Sequence, residues 1–289
     1  MTGTGTLADP YIINTWADLI DTTRDNDSYC EWAGGDLDFN DINPTGYDTQ
    51  INIKGNIDFK GATFKNFRHL GTHSVRGNIW FENKTYMKNL NFLNFYMQIN
   101  SDMAAIGLGH HGYSTEGQPT ISNCNFSGIC IATSTTDSHI ASVFYCSATP
   151  KAVQSCSFNV QADAPNCKFD FARGMPFKDC RITVDITQKG TMSNNWSALY
   201  TNCLFEGRWL NNSGDYVILA KGSNTSNSGN NVYRFTEGSY TIDNHYGQSV
   251  FDTTNATLRN DSYQVTGCTA AQLADASYLR SIGFPVGVN

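Results

Sequence analysis

The sequence predicts an all-β protein whose short strands stack as the coils of a parallel β-helix, a solenoid with a short capping helix at each end. Three observations support this fold class. Charged residues make up only 16% of the 289 residues, whereas glycine and about thirty asparagines supply turn-forming polarity. A six-residue motif recurs along the chain, and helix-period patterning is nearly absent between its copies.

Composition also bounds the function. Hydrophobic residues make up 40% of the chain and aromatic residues 12%, which is enough for a continuous core and excludes disorder. The formal net charge is −7, and the chain has no run of lysine and arginine that would grip phosphates or anionic lipid. No apolar stretch reaches the roughly 18 residues of a membrane span. We therefore expect neither nucleic acid nor membrane insertion.

The recurring motif reads apolar-x-Asn-Cys-x-aromatic. Its copies are MKNLNF at 87–92, ISNCNF at 121–126, VQSCSF at 153–158, FKDCRI at 177–182 and YTNCLF at 200–205. From the fourth position of one copy to the fourth of the next, the spacings are 34, 32, 24 and 23 residues. A period of this length with short β segments is typical of a solenoid whose coils share one core.

Two columns of the motif are predicted to point into that core, because positions two residues apart lie on the same face of a strand. The fourth and sixth positions form these columns, which we call the inward ladder: Leu90, Cys124, Cys156, Cys180 and Cys203, and Phe92, Phe126, Phe158, Ile182 and Phe205. The third position precedes the cysteine column and holds residue types that tolerate left-handed backbone. We predict corners at Asn89, Asn123, Ser155, Asp179 and Asn202.

The nine cysteines are interpreted mainly as buried free thiols, because the chain is large and the count is odd. Zinc sites use closely spaced pairs such as Cys-x-x-Cys, but the closest pair here is Cys124 and Cys130, with no histidine at ligand spacing. We expect no metal and no cofactor.

We predict a single domain over 1–289, with an N-terminal cap at 1–29, coils at 30–265 and a C-terminal cap at 266–289. Thr15 can act as the N-cap of a short helix through Trp16, Leu19 and Ile20. Thr269 and Gln272 form a capping-box pattern, and Gly283 is expected to end the helix that follows. The apolar tail after Gly283 is alternatively an oligomer contact. An Asn-rich β-sandwich is the alternative fold.

With these elements in place, the chain resembles right-handed parallel β-helix proteins of bacteriophage virions and bacterial cell surfaces. The resemblance is carried by GTGTLADPYIINTWADL at 3–19, GGDLDFND at 34–41, the NCxF-like corners and AQLADASYLRSIGFPVG at 271–287. It implies a right-handed winding and a role as a fibre, tailspike or adhesin, often trimeric and facing glycans. Its motifs are architectural, so they transfer a fold more safely than an activity.

Parallel β-helices also host polysaccharide lyases and hydrolases, and glycoside hydrolysis needs two nearby carboxylates. In the predicted register, Glu206 points outward beside Thr183, and Asp185 points outward beside Arg208. Asp185 and Glu206 would then be diagonal neighbours and are the catalytic candidates if the chain is an enzyme. The preferred interpretation is a surface ion pair between Asp185 and Arg208.

Other candidate signals are weaker. The segment GLGHHGYS at 107–114 resembles the Gly-His-Gly motif of polygalacturonase-type enzymes, but their Asp-Asp pair and Arg-x-Lys motif have no counterpart here. We therefore interpret His110 and His111 as part of a loop between coils. Exposed aromatic faces could bind glycans, with Trp80, Trp196, Trp209 and Tyr246 as candidates that could equally be core. The segment KGSNTSNSGNNVY at 221–233 is expected to protrude.

The sequence thus favours a non-catalytic structural protein of a phage virion, facing a receptor or a host surface glycan and contacting other virion proteins. A homotrimer is expected. The opening residues show no secretory signal, so we expect assembly in the host cytoplasm and a final location in the virion. The first alternative is a polysaccharide depolymerase, and the second is a bacterial surface adhesin.

Overall fold

The fold is seen in a computed structural model that describes residues 1–71, 78–82, 86–99, 104–108, 120–134, 140–146, 152–173, 176–189, 199–213, 217–219, 229–242, 248–259, 262 and 264–284. The predictions for His110, His111, Trp196 and Tyr246 concern residues outside these ranges. Within the described ranges the chain is predominantly β, and the strands of its long sheets pair in parallel.

The described strands form four sheets, which we number I to IV. Sheet I contains Tyr11–Ile13, Tyr29–Trp32, Asn56–Asp58, Tyr86–Lys88, Thr120–Ser122, Ala152–Gln154, Pro176–Lys178 and Leu199–Thr201. Sheet II contains Leu37–Asp38, Thr63–Lys65, Arg68–His69, Asn91–Ile99, Asn125–Ala132, Ser157–Ala164, Arg181–Gln188, Leu204–Asn211, Val232–Phe235, Ser249–Asp252 and Val265–Cys268. Sheet III contains Ile51–Lys54, Ile79–Glu82, Ala104–Leu108, Ile140–Cys146 and Lys168–Arg173, and sheet IV contains Val217–Leu219, Ser239–Ile242 and Thr257–Leu258.

The chain visits the sheets in a repeating order. From Tyr86 to Arg173 it passes through sheets I, II and III three times, and each strand pairs with the strand one cycle later. From Leu204 onward it alternates between sheets II and IV. Because equivalent strands stack side by side, a residue in one cycle lies about 4.8 Å from its equivalent in the next.

Four short helices flank this arrangement. They are α1 (Trp16–Leu19), α2 (Phe39–Ile42), α3 (Ala270–Ala274) and α4 (Ala276–Ser281). Thr15 caps α1 as predicted, since its hydroxyl accepts the backbone N–H of Asp18 at 3.1 Å. Trp16 and Leu19 are buried in the main core, where the Trp16 ring meets Phe39 edge-on at 4.8 Å between centroids. Helix α2 was not predicted.

Sheet II places the phenylalanine column of the inward ladder in one register. Phe92 pairs with Phe126, Phe126 with Phe158, Phe158 with Ile182, and Ile182 with Phe205. All of them are at most 2% exposed. The Phe126 and Phe158 rings stack with centroids 5.5 Å apart and planes within 5°, so the ladder forms a continuous apolar core.

The predicted corners are confirmed. Their φ angles lie between 53° and 60° at Asn89, Asn123, Ser155, Asp179 and Asn202. This left-handed backbone turns the chain from sheet I into sheet II within three residues. Asn230 and Gln264 have the same conformation and precede later strands of sheet II, so the corner series continues beyond the motif copies found in the sequence.

The cysteine column makes hydrogen bonds as well as filling space. The thiols of Cys124, Cys156 and Cys180 lie 3.2–3.3 Å from the carbonyl oxygen two residues earlier in the chain. The Cys156 sulfur also accepts the backbone N–H of Cys124 at 3.4 Å. All eight described cysteines are buried and free, as predicted. Burial raises the pKa of Cys30 to about 11 and that of Cys203 well above its ordinary value.

Asn231 takes the place of cysteine in the next cycle. Its side-chain oxygen accepts the N–H of Cys203 at 2.9 Å, and its amide nitrogen donates to the Tyr200 carbonyl at 2.9 Å. Asn231 is fully buried, and Val232 and Tyr233 follow it in a buried strand. The prediction that 221–233 protrudes is therefore wrong for 231–233. These residues repeat the corner motif, with asparagine where the earlier copies have cysteine.

The N-terminal segment is tied to the following cycle by a buried guanidinium. Arg24 is 4% exposed and donates to the carbonyl oxygens of Asp18 and Leu19 at the end of α1. It also donates to the Lys54 carbonyl at 3.2 Å. Helix carbonyls near a C-terminus carry partial negative charge, which favours a cation there.

The C-terminal segment forms two helices, whereas the sequence predicted one. Thr269 and Gln272 form the predicted capping box, but Asp275 has an extended backbone, with φ −94° and ψ 102°. Its side chain accepts the N–H groups of Ser277 and Tyr278. Asp275 therefore ends α3 and begins α4, because its carboxylate satisfies the first N–H groups of a new helix.

The helix pair packs on the outer face of sheet II. Leu279 and Phe284 join a hydrophobic cluster with Val232 and Val250, separate from the main core. Val232 and Val250 pair in register, and each precedes an aromatic residue of the main core, so their side chains point to the opposite face. The C-terminal helix pair therefore covers the outer face of the last described strands of sheet II.

We predict that Asn231→Ala lowers the free energy of unfolding by about 2–4 kcal/mol, because it leaves the Cys203 N–H unpaired in the core and removes one of the two hydrogen bonds to the Tyr200 carbonyl, which also accepts the Gly229 N–H. Asn231→Cys should cost clearly less, since the thiols of Cys156 and Cys180 bind the equivalent groups in earlier cycles. Urea unfolding of both variants checks this, with the exposed Asn212→Ala as control. Equal losses of stability for Asn231→Ala and Asn231→Cys would contradict the idea that asparagine and cysteine make equivalent hydrogen bonds at this position.

A second prediction concerns acid stability. Burial alone would raise the pKa of Asp58, but hydrogen bonds from Asn89 and the Lys60 N–H and the ammonium groups of Lys88 and Lys60 together lower it. The ionised form thus stabilises the fold above the ordinary aspartate pKa of 3.8, and this contribution is lost as the pH falls through the lower folded-state pKa.

Asp58→Asn should cost about 1 kcal/mol at neutral pH and should weaken the acid dependence of stability. Urea midpoints measured from neutral to strongly acidic pH test this. Asp25→Asn, at an exposed position, is the control. The prediction is contradicted if Asp58→Asn and the parent chain lose stability in parallel on acidification.

Candidate functional site: a groove on the outer face of sheet II

The outer face of sheet II is formed by residues that alternate with the inward ladder. Amide and hydroxyl groups follow one another along it, and neighbouring cycles are joined by side-chain bonds. Asn91 donates to the Gly61 carbonyl, Asn125 donates to Asn91, and Ser157 donates to Asn125. Stacked strands therefore present an ordered polar surface rather than independent side chains.

A groove of about 700 Å³ crosses three adjacent strands of this face. The strands are Arg181–Gln188, Leu204–Asn211 and Val232–Phe235. The corner residues Asp179, Asn202 and Asn230 form one wall. Because all three have left-handed backbone, the corner repeats in each cycle, and the Asn202 amide donates to the Asp179 carboxylate at 3.1 Å.

The floor of the groove is apolar. Leu204 and Val232 line it and are direct register partners. The same two side chains pack against the C-terminal cluster that contains Leu279 and Phe284. The helix pair therefore supports the floor from one side, and folding of the C-terminus and the shape of the groove are linked.

Charged side chains complete the groove. Arg181 donates through Nε and Nη2 to the Glu206 Oε2, at 2.9 and 2.7 Å. Glu206 pairs in register with Arg234, an exposed residue that forms no ion pair with any other described residue. Among the described residues, the groove thus offers one guanidinium without an ion pair, one carboxylate oriented by Arg181, planar amides and an apolar floor.

Asp185, the other predicted acid, belongs to a neighbouring ion-pair network. It pairs with Arg208 in register, and the Arg208 Nε donates to its Oδ1 at 2.8 Å. Arg208 also reaches Glu237 at 3.2 Å, and these two acids raise the pKa of Arg208. Glu206 pairs with Thr183, so both outward positions have the predicted register.

Two ion pairs set the surroundings of the predicted acids, since Glu206 and Asp185 each accept hydrogen bonds from a guanidinium. A glycoside hydrolase needs one carboxylic acid that donates a proton to the leaving group. The ion pairs are exposed and contribute little to stability, so their main effect is to fix the positions of the two acids.

Trp80 and Trp209, the two aromatic candidates among the described residues, do not line the groove. Trp80 and Trp209 are at most 1% exposed. The Trp209 indole N–H donates to Gln188 at 3.1 Å inside the core, and the Trp80 ring lies so close to Gly107 that a Cβ there would collide with it. Large apolar rings gain more from burial than from exposure.

The sequence patterns did not identify two residues of the groove. Arg234 and Asn230 lie in the cycle whose corner motif carries asparagine instead of cysteine. The spacing from Cys203 to Asn231 is 28 residues, within the range of the other copies. The signal that could have found them was the pair Asn-Asn followed by alternating Val-Tyr-Arg-Phe.

The described residues contain no group of three His, Cys, Asp or Glu side chains placed to hold a metal ion. In the same part of the chain, no helix is long and apolar enough to cross a membrane. No family model, no curated protein and no solved structure matches the chain. The function must therefore be inferred from the geometry of the site.

Gly207 lies between Glu206 and Arg208 and shapes this part of the face. Its φ is 101°, and a Cβ would lie 2.1 Å from the Val184 carbonyl oxygen. We predict that Gly207→Ala costs about 3 kcal/mol or more, through backbone strain and collision together. Gly61→Ala is the matched control, because Gly61 has φ 84° but no atom within 4 Å of its Cβ position.

Gly61→Ala should cost only about 1–2 kcal/mol, the strain of a left-handed alanine. Chemical denaturation of both variants gives the comparison. Equal losses would show that the close approach of Val184 to Gly207 adds nothing to the requirement for glycine.

Proposed function

We propose that the parallel sheets wind as a right-handed parallel β-helix and that the chain is a non-catalytic, glycan-facing structural component of a bacteriophage virion. The repeating order of sheets I, II and III supports the winding. The virion assignment is supported by the resemblance of the opening, the corners and the closing segment to proteins of that class. The groove on sheet II supports the glycan-facing role.

The groove is the observation that carries this proposal. Saccharides present hydroxyl groups and weakly apolar ring faces, and a site for them combines polar groups in fixed positions with an apolar surface. Asn202 and Asn230 supply amides, Glu206 and Arg234 supply charged partners, and Leu204 lies in the floor. Rigid strands hold these groups, which lowers the entropy cost of binding.

Binding without cleavage follows from the ion pairs. A depolymerase needs a free proton donor beside its second carboxylate, whereas Arg181 and Arg208 bind Glu206 and Asp185. The proposal therefore assigns recognition to the groove and no chemistry to the two acids. Its partners are host surface glycans and other virion proteins.

We propose a homotrimer as the assembled form. Single solenoids of this kind expose long faces, and closed symmetry allows identical chains to bury one of them. Sedimentation velocity of the purified chain tests this directly. A monomer at micromolar concentration would contradict the trimer while leaving the glycan-facing groove intact.

The glycan-facing role is tested by incubating the protein with capsular and cell-wall polysaccharides of candidate host bacteria. Bound polysaccharide, new reducing ends and unsaturated-uronate absorbance are measured in the same samples. We expect binding without product release. We also expect Arg234→Ala to weaken binding at least about tenfold, because a charged hydrogen bond contributes about 1.5 kcal/mol or more.

Arg280→Ala removes an exposed arginine from α4 and serves as the matched control. Product release that Glu206→Gln or Asp185→Asn abolishes would identify a depolymerase and overturn the proposal. Absence of binding to every polysaccharide would remove the glycan-facing role. Labelling of intact phage particles with an antibody against the chain tests the virion location.

A further inference from the structure

A second concave site lies on the outer face of sheet II, on the three strands next to those of the groove. The strand register is interrupted there. Strand Asn91–Ile99 follows strand Asn125–Ala132 in register until Phe92, and the register shifts before Phe95. One extra residue is accommodated there, and Asn94 has left-handed backbone with φ 55°. Such a β-bulge redirects the side chains beside it.

The bulge packs closely against Gly128 of the neighbouring strand. Phe95 pairs with Gly128, and a Cβ on Gly128 would lie 2.3 Å from the Phe95 carbonyl oxygen. Gly128 lies on the same inward face as Phe126 and Cys130, so its missing side chain makes room for the buried Phe95 ring. On the outer face, a space of about 400 Å³ lies over the bulge and the two neighbouring strands. Small-molecule sites usually have a volume of this order.

The walls of the depression are uncharged. One side is formed by Tyr96, Ile129 and Gln161, and the other by Asn94, Ser127 and Asn159. The Ile129 side chain is 38% exposed, which is unusual for isoleucine in a β-sheet. The lining therefore combines an aromatic ring, an aliphatic group, amides and a hydroxyl.

The Tyr96 ring is held in place by a neighbouring arginine. The Arg68 guanidinium lies over its ring, with the carbon atom Cζ 5.3 Å from the ring centroid, and the two residues pair in register. This cation–π contact stabilises one ring orientation. The tyrosine therefore forms a fixed wall instead of a mobile side chain.

We propose that this depression is a subsite for one uncharged pyranose ring, a specificity element distinct from the charged groove. The inference rests on the proposed glycan-facing function. Amides and the Ser127 hydroxyl can pair with sugar hydroxyls, while Tyr96 and Ile129 contact the apolar C–H face of the ring. An acidic sugar is disfavoured here, because none of the described lining side chains offers a positive charge to its carboxylate.

The test uses saturation-transfer NMR with methyl glycosides of glucose, galactose and N-acetylglucosamine as neutral probes and with glucuronate as the anionic probe. We expect at least one neutral glycoside to bind and glucuronate not to compete for it. Tyr96→Ala should weaken binding about tenfold, as expected for loss of an aromatic contact. Gln161→Leu removes an exposed amide and should also weaken binding.

Tyr29→Ala, on sheet I, is the matched control and should leave affinity unchanged. If sugars bind and only Arg234→Ala weakens them, the depression is not a subsite and the groove alone carries recognition. If Tyr96→Ala and Tyr29→Ala have equal effects, the inference is also wrong. If the full chain binds no monosaccharide and no polysaccharide, both the inference and the proposed glycan-facing function are overturned.

Discussion

The structure depends on the hydrogen bonds that a buried side chain makes to the neighbouring cycle immediately after a left-handed corner. The corner turns the chain sharply out of sheet I. Backbone N–H and C=O groups next to it therefore lie inside the core. Sulfur or amide side chains then pair with those groups: Cys156 binds the Cys124 N–H, and Asn231 binds the Cys203 N–H. An unpaired buried N–H would cost about 1–3 kcal/mol in each cycle.

Regular stacking at the corners determines what the outer face can do. With equivalent residues in register, amides and hydroxyls form rows, and the strands themselves order this surface. Both concave sites arise where this regularity changes. One lies beside Gly207 and the corner residue Asn230, and the other lies where the Asn94 bulge meets Gly128.

The electrostatics of the two sites differ although they share one sheet. In the groove, Arg181 orients Glu206 and leaves Arg234 free of ion pairs within the described chain. In the depression, the nearby cation Arg68 is engaged with the Tyr96 ring. The two sites therefore differ in charge, since the groove is lined by Arg181, Glu206 and Arg234, whereas the described lining of the depression is uncharged.

The sequence by itself determined the β class, the left-handed corners and the outward register of Glu206, because these follow from local periodicity and residue type. It missed the cycle at Asn231, since the same hydrogen bonds can be made by a different side chain. It also missed the division of the C-terminal helix at Asp275, although that cap is local. Only the tertiary structure decided that Leu204 becomes a groove floor and that the bulge at Asn94 lies beneath a depression. Each depends on contacts between residues far apart in the chain, which local patterning does not encode.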